Sequence, residues 1–147
     1  MHILEPQKRN SQLIDQLSAV WEASVKATHL FLSADAIENI KKFVPTALET
    51  VPHLIVAENG DYVPVAFMGI KDKKLEMLFI APGERGKGLG KQLILYGIEK
   101  FSVNKLAVNE QNFLARGFYE HMGFSVYKRM DFDEQGNPYP LLYMKRT

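Results

Sequence analysis

The sequence predicts one α+β domain built on a mixed sheet, and three patterns lead to this prediction. Apolar residues recur at helical spacing before residue 50 and at strand spacing from residue 51 to residue 80, and helix and strand then alternate. Antiparallel strands followed by a strand, a crossover helix and another strand indicate a sheet with antiparallel and parallel pairs. A chain of 147 residues is long enough to bury a hydrophobic core, so we expect a single domain that spans residues 1–147.

Composition and charge exclude several broad classes of protein. The chain is 46% hydrophobic and 24% charged, which is typical of a globular protein and not of a disordered one. A net charge of +1 gives no reason to expect nucleic acid as a partner. The absence of a long apolar run and of a signal-like N-terminus leads us to expect no membrane contact and a cytoplasmic protein. Because cysteine is absent, a disulfide or a cysteine nucleophile is excluded.

The first third of the chain is predicted to form two helices. Apolar residues at three- and four-residue steps predict a helix over 10–28, with Asn10 or Ser11 as its N-cap. A second helix is predicted from Ser33 to about residue 46, and Pro45 should end or kink it.

A three-stranded antiparallel meander should follow these helices. Its predicted strands are 54–57, 63–68 and 75–80. Asn59 and Gly60 lie between the first two strands, and we predict a type I′ hairpin turn there because both central residues of that turn need positive φ.

In the second half of the chain, helices and strands are predicted to alternate. A helix over 88–101 precedes a strand over 103–108, which should run parallel to the last strand of the meander. A helix over 111–122 and a closing hairpin of strands 124–132 and 140–145 complete the chain. The final strand could pair across a subunit interface, so we expect a monomer or a homodimer.

A loop of three glycines joins the third meander strand to the helix over 88–101. It consists of Arg85, Gly86, Lys87, Gly88, Leu89, Gly90 and Lys91. Glycine allows the backbone to approach an anion closely, and the following helix N-terminus offers unpaired amides and a positive dipole end. The loop therefore predicts a diphosphate cradle, and the alternative is a glycine-rich turn without a ligand.

The spacing of the glycines excludes two familiar phosphate loops. A Walker loop needs Gly-Lys followed by Ser or Thr, whose hydroxyl reaches magnesium, whereas Gly90 and Lys91 are followed by Gln92. A dinucleotide fingerprint needs Gly-x-Gly-x-x-Gly after an early strand, whereas these glycines are two residues apart throughout and lie in mid-chain.

Two motifs resemble those of the GNAT superfamily of N-acetyltransferases. Residues 85–90 match the pattern Gln/Arg-x-x-Gly-x-Gly/Ala, and residues 112–124 match Asn-x-x-Ala-x-x-Phe-Tyr-x-x-x-Gly-Phe. The order of the predicted elements also resembles GNAT, and residues 21–32 and 136–141 resemble a small bacterial branch of it. The resemblance implies a GNAT-like acyl-CoA N-acyltransferase fold in which the two central parallel strands splay apart and hold the cofactor between them.

The resemblance implies acetyl-coenzyme A as the donor. Amides of the loop residues Arg85, Gly86, Lys87, Gly88, Leu89, Gly90 and Lys91 would hold its pyrophosphate. The backbone of Leu78, Phe79 and Ile80 would pair with the pantetheine arm in the way that a sheet edge pairs with an additional strand. For Leu78 and Ile80 the alternative is core packing. Asn112 would hydrogen-bond the same arm, or else cap the following helix.

Three catalytic candidates follow from the resemblance and from the chemistry of amine acetylation. Tyr119 would donate a proton to the departing thiolate, and its alternative is aromatic packing. An amine is protonated near pH 7, so a base is needed, and two candidates remain open. Glu76 shares a strand face with Leu78 and Ile80 by alternation, unless it is only a solvated charge. His29 lies in the segment expected to wall the acceptor pocket, unless it is structural.

The acceptor is expected to be a primary amine of a small molecule, an amino acid or a peptide. Trp21, His29, Phe31 and Phe67 would form a partly apolar substrate pocket, although aromatic residues are also ordinary core. Because no cysteine can carry the acetyl group, we expect direct transfer in a ternary complex. The histidines show no metal-ligand spacing, so no metal is expected. The alternative function is a catalytically inactive sensor or scaffold that binds acetyl-coenzyme A or coenzyme A.

Overall fold

A computed structural model describes all 147 residues as a seven-stranded mixed sheet with helices on both faces. The strands are β1 (His2–Leu4), β2 (His53–Glu58), β3 (Pro64–Lys71), β4 (Lys74–Ile80), β5 (Lys105–Asn109), β6 (Phe124–Met130) and β7 (Leu141–Arg146). The helices are α1 (Ser11–Thr28), α2 (Ala34–Lys41), α3 (Val44–Thr50), α4 (Leu89–Phe101) and α5 (Phe113–His121). The order in the sheet is β1-β2-β3-β4-β5-β7-β6, and only β4 and β5 run parallel. The predicted α+β fold with a mixed sheet is confirmed.

Two hydrophobic clusters hold the helices against the sheet. The cluster on one face joins α4 and α5 to the sheet through residues such as Leu93, Ile94 and Leu106. The cluster on the other face joins α1, α2 and α3 to the sheet around Leu17 and Leu48. None of the helices combines the length and the apolar character that crossing a membrane would require.

The N-terminal helices follow the prediction in part. Asn10 caps α1, and its side chain accepts a hydrogen bond of 2.9 Å from the amide of Leu13. The prediction of one helix from Ser33 to about residue 46 is wrong, because α2 ends at Lys41 and α3 begins shortly afterwards. Pro45 lies in the first turn of α3, where its missing N–H group has no helical partner to lose. The short strand β1 was not predicted.

The hairpin turns differ from the predicted ones. The type I′ turn at Asn59 and Gly60 is wrong: the side chain of Asn59 accepts from the amides of Asp61 and Val63, and the positive φ of 61° belongs to Tyr62. An Asx-type turn of this kind satisfies the loop amides without a left-handed pair at its centre.

The turn between β3 and β4 instead carries the left-handed pair. Asp72 and Lys73 have φ values of 49° and 66°, and they lie between the paired residues Lys71 and Lys74. Positive φ at both central residues is the property of a type I′ hairpin.

A β-bulge interrupts β4 at Glu76. Gly69 of β3 is opposite Met77, and the next residue, Ile70, is opposite Leu75, so Glu76 is the extra residue. The bulge reverses the side-chain alternation of the strand. Leu75 therefore packs in the same cluster as Leu78 and Ile80. That Glu76 shares a face with Leu78 and Ile80 stays a prediction, because the bulged residue has no partner of its own on β3.

Strands β4 and β5 part soon after they meet. Their parallel pairing consists of Lys74 with Lys105 and Leu75 with Leu106. Beyond these pairs, residues 76–80 have no strand partner on the side of β5, although β3 continues to pair with them on the other side. Backbone groups on that edge need other hydrogen-bond partners. The splayed pair implied by the family resemblance is thus present.

The final strand lies inside the sheet. β7 pairs with β5 on one side and with β6 on the other, so the expectation that the strand Leu141–Lys145 could pair across a subunit interface is wrong. The outer strand at this end of the sheet is β6.

Arg9 connects the segment before α1 to the end of α3. Its Nη1 atom donates to the carbonyl oxygens of Leu48 (3.1 Å), Glu49 (3.0 Å) and Val51 (2.6 Å), and its Nη2 atom donates to that of Pro52 (3.2 Å). The carbonyls at a helix C-terminus have no helical partner, and a cation there also complements the helix dipole.

We predict that Arg9→Ala lowers the free energy of unfolding by about 1–2 kcal/mol, because it leaves these carbonyl groups without their donor. Urea denaturation measures the effect. Lys8→Ala is the matched control, since Lys8 is exposed and adjacent. Equal stability of both variants would contradict the role of Arg9.

Candidate active site

The glycine loop forms an open backbone surface next to the end of β4. Gly86 and Gly88 have φ values of 79° and 78°, which residues with a side chain rarely adopt. A Cβ atom added at either position would have no protein atom within 4 Å. These two glycines are therefore needed for their backbone conformation, and the space above them is free for a ligand.

A cavity of about 330 Å³ opens over this loop. The residues that line it are Ser24, Thr28, His29, Leu78, Phe79, Ile80, Glu84, Arg85, Gly86, Gly88, Leu89, Gly90, Lys91, Asn112, Leu114, Ala115, Phe118 and Tyr119. They include every predicted cofactor-binding residue except Lys87. The Lys87 ammonium lies 3.4 Å from the carboxylate of Glu84 and is mostly exposed.

Gly90 differs from the other two glycines of the loop. It lies in the first turn of α4, and an added Cβ would come within 3.3 Å of the Ile80 side chain and 3.5 Å of the Phe118 ring. A missing side chain here allows α4 to lie close to β4 and α5. Gly90 therefore serves packing as well as the surface of the cavity.

A second cavity of about 220 Å³ lies in the gap between β4 and β5. Its lining residues are His29, Leu75, Glu76, Met77, Leu78, Phe79, Ala107, Val108, Asn109, Asn112, Ala115 and Tyr119. Six of these also line the first cavity: His29, Leu78, Phe79, Asn112, Ala115 and Tyr119. The two cavities are therefore neighbours that meet at the separated strands.

Tyr119 lies where the cavities meet and is only 8% exposed. Its ring packs against Phe118 and Phe124 at centroid distances of 5.3 and 6.1 Å, so the packing role and the cavity-lining role coexist. Burial raises the pKa of the Tyr119 phenol above its ordinary value, because the charged form is poorly solvated. The hydroxyl therefore keeps its proton near neutral pH and can donate it.

Asn112 takes the capping role at the start of α5. Its side-chain oxygen accepts a hydrogen bond of 3.3 Å from the amide of Ala115. Because the residue also lines both cavities, its NH₂ group remains available as a donor.

Both candidate bases line the second cavity. Glu76 projects from the bulge of β4, and its carboxylate lies 3.8 Å from the ammonium of Lys74. His29 follows the last turn of α1, and its Nδ1 atom is 2.8 Å from the hydroxyl of Thr28. Burial lowers the pKa of His29, so its ring is neutral near pH 7.

Two of the four predicted substrate-binding residues lie in the core. Trp21 is 5% exposed and Phe67 is fully buried, and neither lines either of the two cavities. Both pack against Phe79, at centroid distances of 6.5 and 5.5 Å. The expectation that they line the acceptor pocket is therefore wrong, because both side chains are packed between the sheet and the N-terminal helices. Phe31 lies against His29 at 5.4 Å but outside both cavities.

Other lining residues were missed by the sequence analysis. Ser24 and Thr28 reach the cavity because α1 crosses β4, which no local pattern indicates. Asn109 lies at the carboxyl end of β5, and the rule that ligands bind at such ends in parallel strands could have identified it.

The residues present fit a coenzyme A thioester. Exposed amides at Gly86 and Gly88, together with Arg85 and Lys91, suit a diphosphate, and the unpaired edge of residues 76–80 suits an amide-bearing chain. No group of His, Asp or Glu side chains is placed to hold a metal ion. A parted parallel pair beside an amide-lined loop is the arrangement of an N-acyltransferase that uses coenzyme A thioesters.

Comparisons with known proteins agree with this class. Residues 22–140 match the acetyltransferase (GNAT) domain family. Proteins named peptidyl-lysine N-acetyltransferase YjaB, from Salmonella typhimurium and Escherichia coli, are 41% identical to this chain over 128 residues. The aligned region covers 87% of this chain and 88% and 86% of those proteins, respectively.

Solved structures show the same relationship. The solution structure of apo-form YjaB from Escherichia coli is 37% identical, has a TM-score of 0.88, and covers 100% of this chain and 99% of that one. A PaiA N-acetyltransferase from Thermoplasma acidophilum in complex with coenzyme A, at 22% identity and a TM-score of 0.69 with 99% of each chain covered, shares the fold.

The chain belongs to the GNAT family of acetyltransferases. It is an N-acetyltransferase, and the family takes its acetyl group from acetyl-coenzyme A. The resemblance that the two sequence motifs indicated is confirmed.

We predict that Gly88→Val weakens the binding of coenzyme A by at least about tenfold, because a β-branched side chain disfavours the left-handed conformation and enters the free space of the loop. Isothermal calorimetry measures the affinity. Gly83→Val is the matched control, since Gly83 is exposed and lines neither cavity. Unaltered binding by the Gly88 variant would remove the loop from the cofactor site.

We predict that His29 makes the protein less stable in mild acid. Above a pH of about 6.5 the ring is neutral in both the folded and the unfolded chain. Below it the unfolded chain takes up a proton that the folded chain, with its lowered pKa, binds less readily, so stability falls as pH falls towards the folded-state pKa.

Urea midpoints at pH 7.5 and 5.5 test this effect. The His29→Asn variant should lose less stability between these values than the wild type. The control is His121→Asn, because His121 is exposed on α5. An identical loss in the wild type and in His29→Asn would show that His29 does not couple protonation to folding.

Proposed function

We propose that the protein transfers the acetyl group of acetyl-coenzyme A directly to the ε-amino group of lysine residues in peptides or proteins. The observation that carries this proposal is the pair of neighbouring cavities on the parted strands, one over the glycine loop and one between β4 and β5. The name peptidyl-lysine N-acetyltransferase of relatives at 41% identity supports lysine as the acceptor.

The donor is held mainly by backbone groups in this proposal. Amides from Gly86 to Lys91 and the Arg85 side chain bind the diphosphate, whereas the Arg85 amide donates to the carbonyl oxygen of Pro82. The open edge of Leu78, Phe79 and Ile80 pairs with the pantetheine amides. The bound thioester supplies the activated acetyl group. Because the backbone sets the position of the diphosphate and of the arm, the reacting end is directed towards Tyr119 at the junction of the cavities.

The second cavity has the character that a lysine side chain requires. Met77, Phe79 and Ala107 offer an apolar surface to its methylene stem, and the Glu76 carboxylate offers an acceptor to its amine. The acceptor and the donor then meet at the junction without an intermediate on the protein, which the absence of cysteine also favours.

Two side chains move protons in the proposed reaction. Glu76 takes a proton from the lysine ammonium, directly or through water, since it lies in the acceptor cavity. Tyr119 gives its proton to the sulfur of the departing coenzyme A, and burial keeps the phenol protonated until then. The second proton that the acetylated nitrogen loses then restores the phenol, so the net reaction releases one proton, through Glu76. His29 is the alternative base, because it is neutral and lines the same cavity.

Assays of acetylation and of coenzyme A binding distinguish two other functions from the proposed one. A small-molecule amine would be the acceptor if free amines reacted and peptides did not. An inactive sensor would bind coenzyme A and acetylate nothing; the buried Tyr119 at the cavity junction favours catalysis over this alternative.

We predict that the enzyme releases free coenzyme A thiol when it is mixed with acetyl-coenzyme A and a peptide containing one internal lysine. Mass spectrometry should show one added acetyl group on that lysine. Tyr119→Phe should lower kcat by about a hundredfold or more and leave the KM for acetyl-coenzyme A nearly unchanged, because only proton donation is lost.

Tyr127→Phe is the matched control, since Tyr127 is exposed on β6 and lines neither cavity. Wild-type turnover in the Tyr119 variant would remove Tyr119 from the reaction. Acetylation of free amines but not of the peptide would show that lysine residues are the wrong acceptor class.

A further inference from the structure

Asn109 has a side-chain oxygen with no hydrogen-bond partner. The Oδ1 atom is buried, and no protein donor reaches it. Leaving a buried carbonyl oxygen without a donor is unfavourable, so native structures retain few such groups. An uncompensated oxygen of this kind calls for a partner that comes from outside the protein.

The position of Asn109 shows where that partner would come from. Asn109 is the last residue of β5, beyond the point where β4 and β5 part. Leu106 and Val108 pack into the cluster with α4 and α5, so by alternation Ala107 and Asn109 face the other side of the sheet. Both line the second cavity, together with Glu76.

Of the three residues with an orphaned buried oxygen, Asn109 alone lines either of the two cavities described above. The other two are Ser18 and Asn104, and neither residue lines either cavity. Asn104 therefore has the same orphaned carboxamide oxygen as Asn109 but does not line the proposed site. It offers a chemical match for Asn109 outside both cavities.

We propose that the Asn109 side-chain oxygen and the Glu76 carboxylate form a binding site for the primary ammonium group of the acceptor, in which Asn109 accepts one N–H bond. This inference rests on the proposed function and adds to it the residue that positions the amine. A primary ammonium carries three N–H donors and no acceptor, so it complements a site that offers oxygens alone. Lining residues Met77, Phe79 and Ala107 then contact the alkyl stem.

The two oxygens have different tasks. The carboxylate of Glu76 carries charge and can take a proton, whereas the carboxamide oxygen of Asn109 is neutral and accepts a hydrogen bond without changing its protonation state. Asn109 therefore stays bonded to the nitrogen before and after deprotonation. It keeps the lone pair of the amine directed at the junction near Tyr119, and Asn109 acts as a positioning residue.

Binding of n-butylammonium, which reproduces the end of a lysine side chain, tests the site without relying on acetyl transfer. NMR titration of the protein saturated with coenzyme A gives its Kd. Asn109→Leu, which has nearly the same shape but no oxygen, should weaken n-butylammonium at least about tenfold and change the affinity for coenzyme A less than twofold. Asn104→Leu is the matched control and should change neither affinity.

Asn109→Asp separates hydrogen bonding from packing. It restores an oxygen acceptor, so it should bind n-butylammonium at least as tightly as the wild type, which a purely structural role would not require. If Asn109→Leu does not fold, Asn109→Ala replaces it in the same titration. Wild-type affinity in the variant without the oxygen, or equal weakening in Asn109→Asp, would overturn the proposal.

The lysine-peptide assay distinguishes this inference from the proposed function. If the wild type binds n-butylammonium through Asn109 but does not acetylate the peptide, the ammonium site stands and lysine residues are the wrong acceptor. If the peptide is acetylated and Asn109→Leu binds n-butylammonium normally, the proposed function stands and the role of Asn109 is wrong.

Discussion

The parting of β4 and β5 is the constraint on which the rest of the structure depends. Only two residue pairs, Lys74 with Lys105 and Leu75 with Leu106, join these parallel strands. Beyond Leu75 the edge of β4 that faces β5 has no strand partner. A sheet with an open interior edge loses hydrogen bonds that a ligand can replace. The bulge at Glu76 lies at the start of this opening, where it changes the direction of the side chains and places a carboxylate in the gap. The proposed donor and acceptor sites thus result from one interruption of pairing.

Burial decides the protonation states around that opening. The phenol of Tyr119 and the imidazole of His29 both lie in poorly solvated surroundings, which favour their neutral forms. Glu76 is partly exposed and keeps contact with Lys74. A protonated phenol and a neutral imidazole therefore border the same space as the Glu76 side chain. This combination suits a reaction that removes a proton from an amine and delivers one to a thiolate.

The local motifs could be interpreted correctly without a structure, because their function depends on the backbone. Gly86 and Gly88 have the positive φ that their spacing in a loop suggested, and the helix after them begins within one residue of its predicted start. Side-chain directions were less predictable. The bulge at Glu76 depends on how β3 pairs with β4, and Trp21 and Phe67 belong to the core because the helices cover that face.

The amino-acid sequence alone determined the class of fold, the position of the glycine loop and the motif that contains Tyr119, because helix periodicity and glycine conformation act over a few neighbouring residues. Tertiary structure decided which polar groups share the gap. Asn109 and His29 are far apart in the chain and line one cavity only because β5 leaves β4 and α1 crosses the sheet. Contacts between distant segments depend on packing, and no local pattern carries that information.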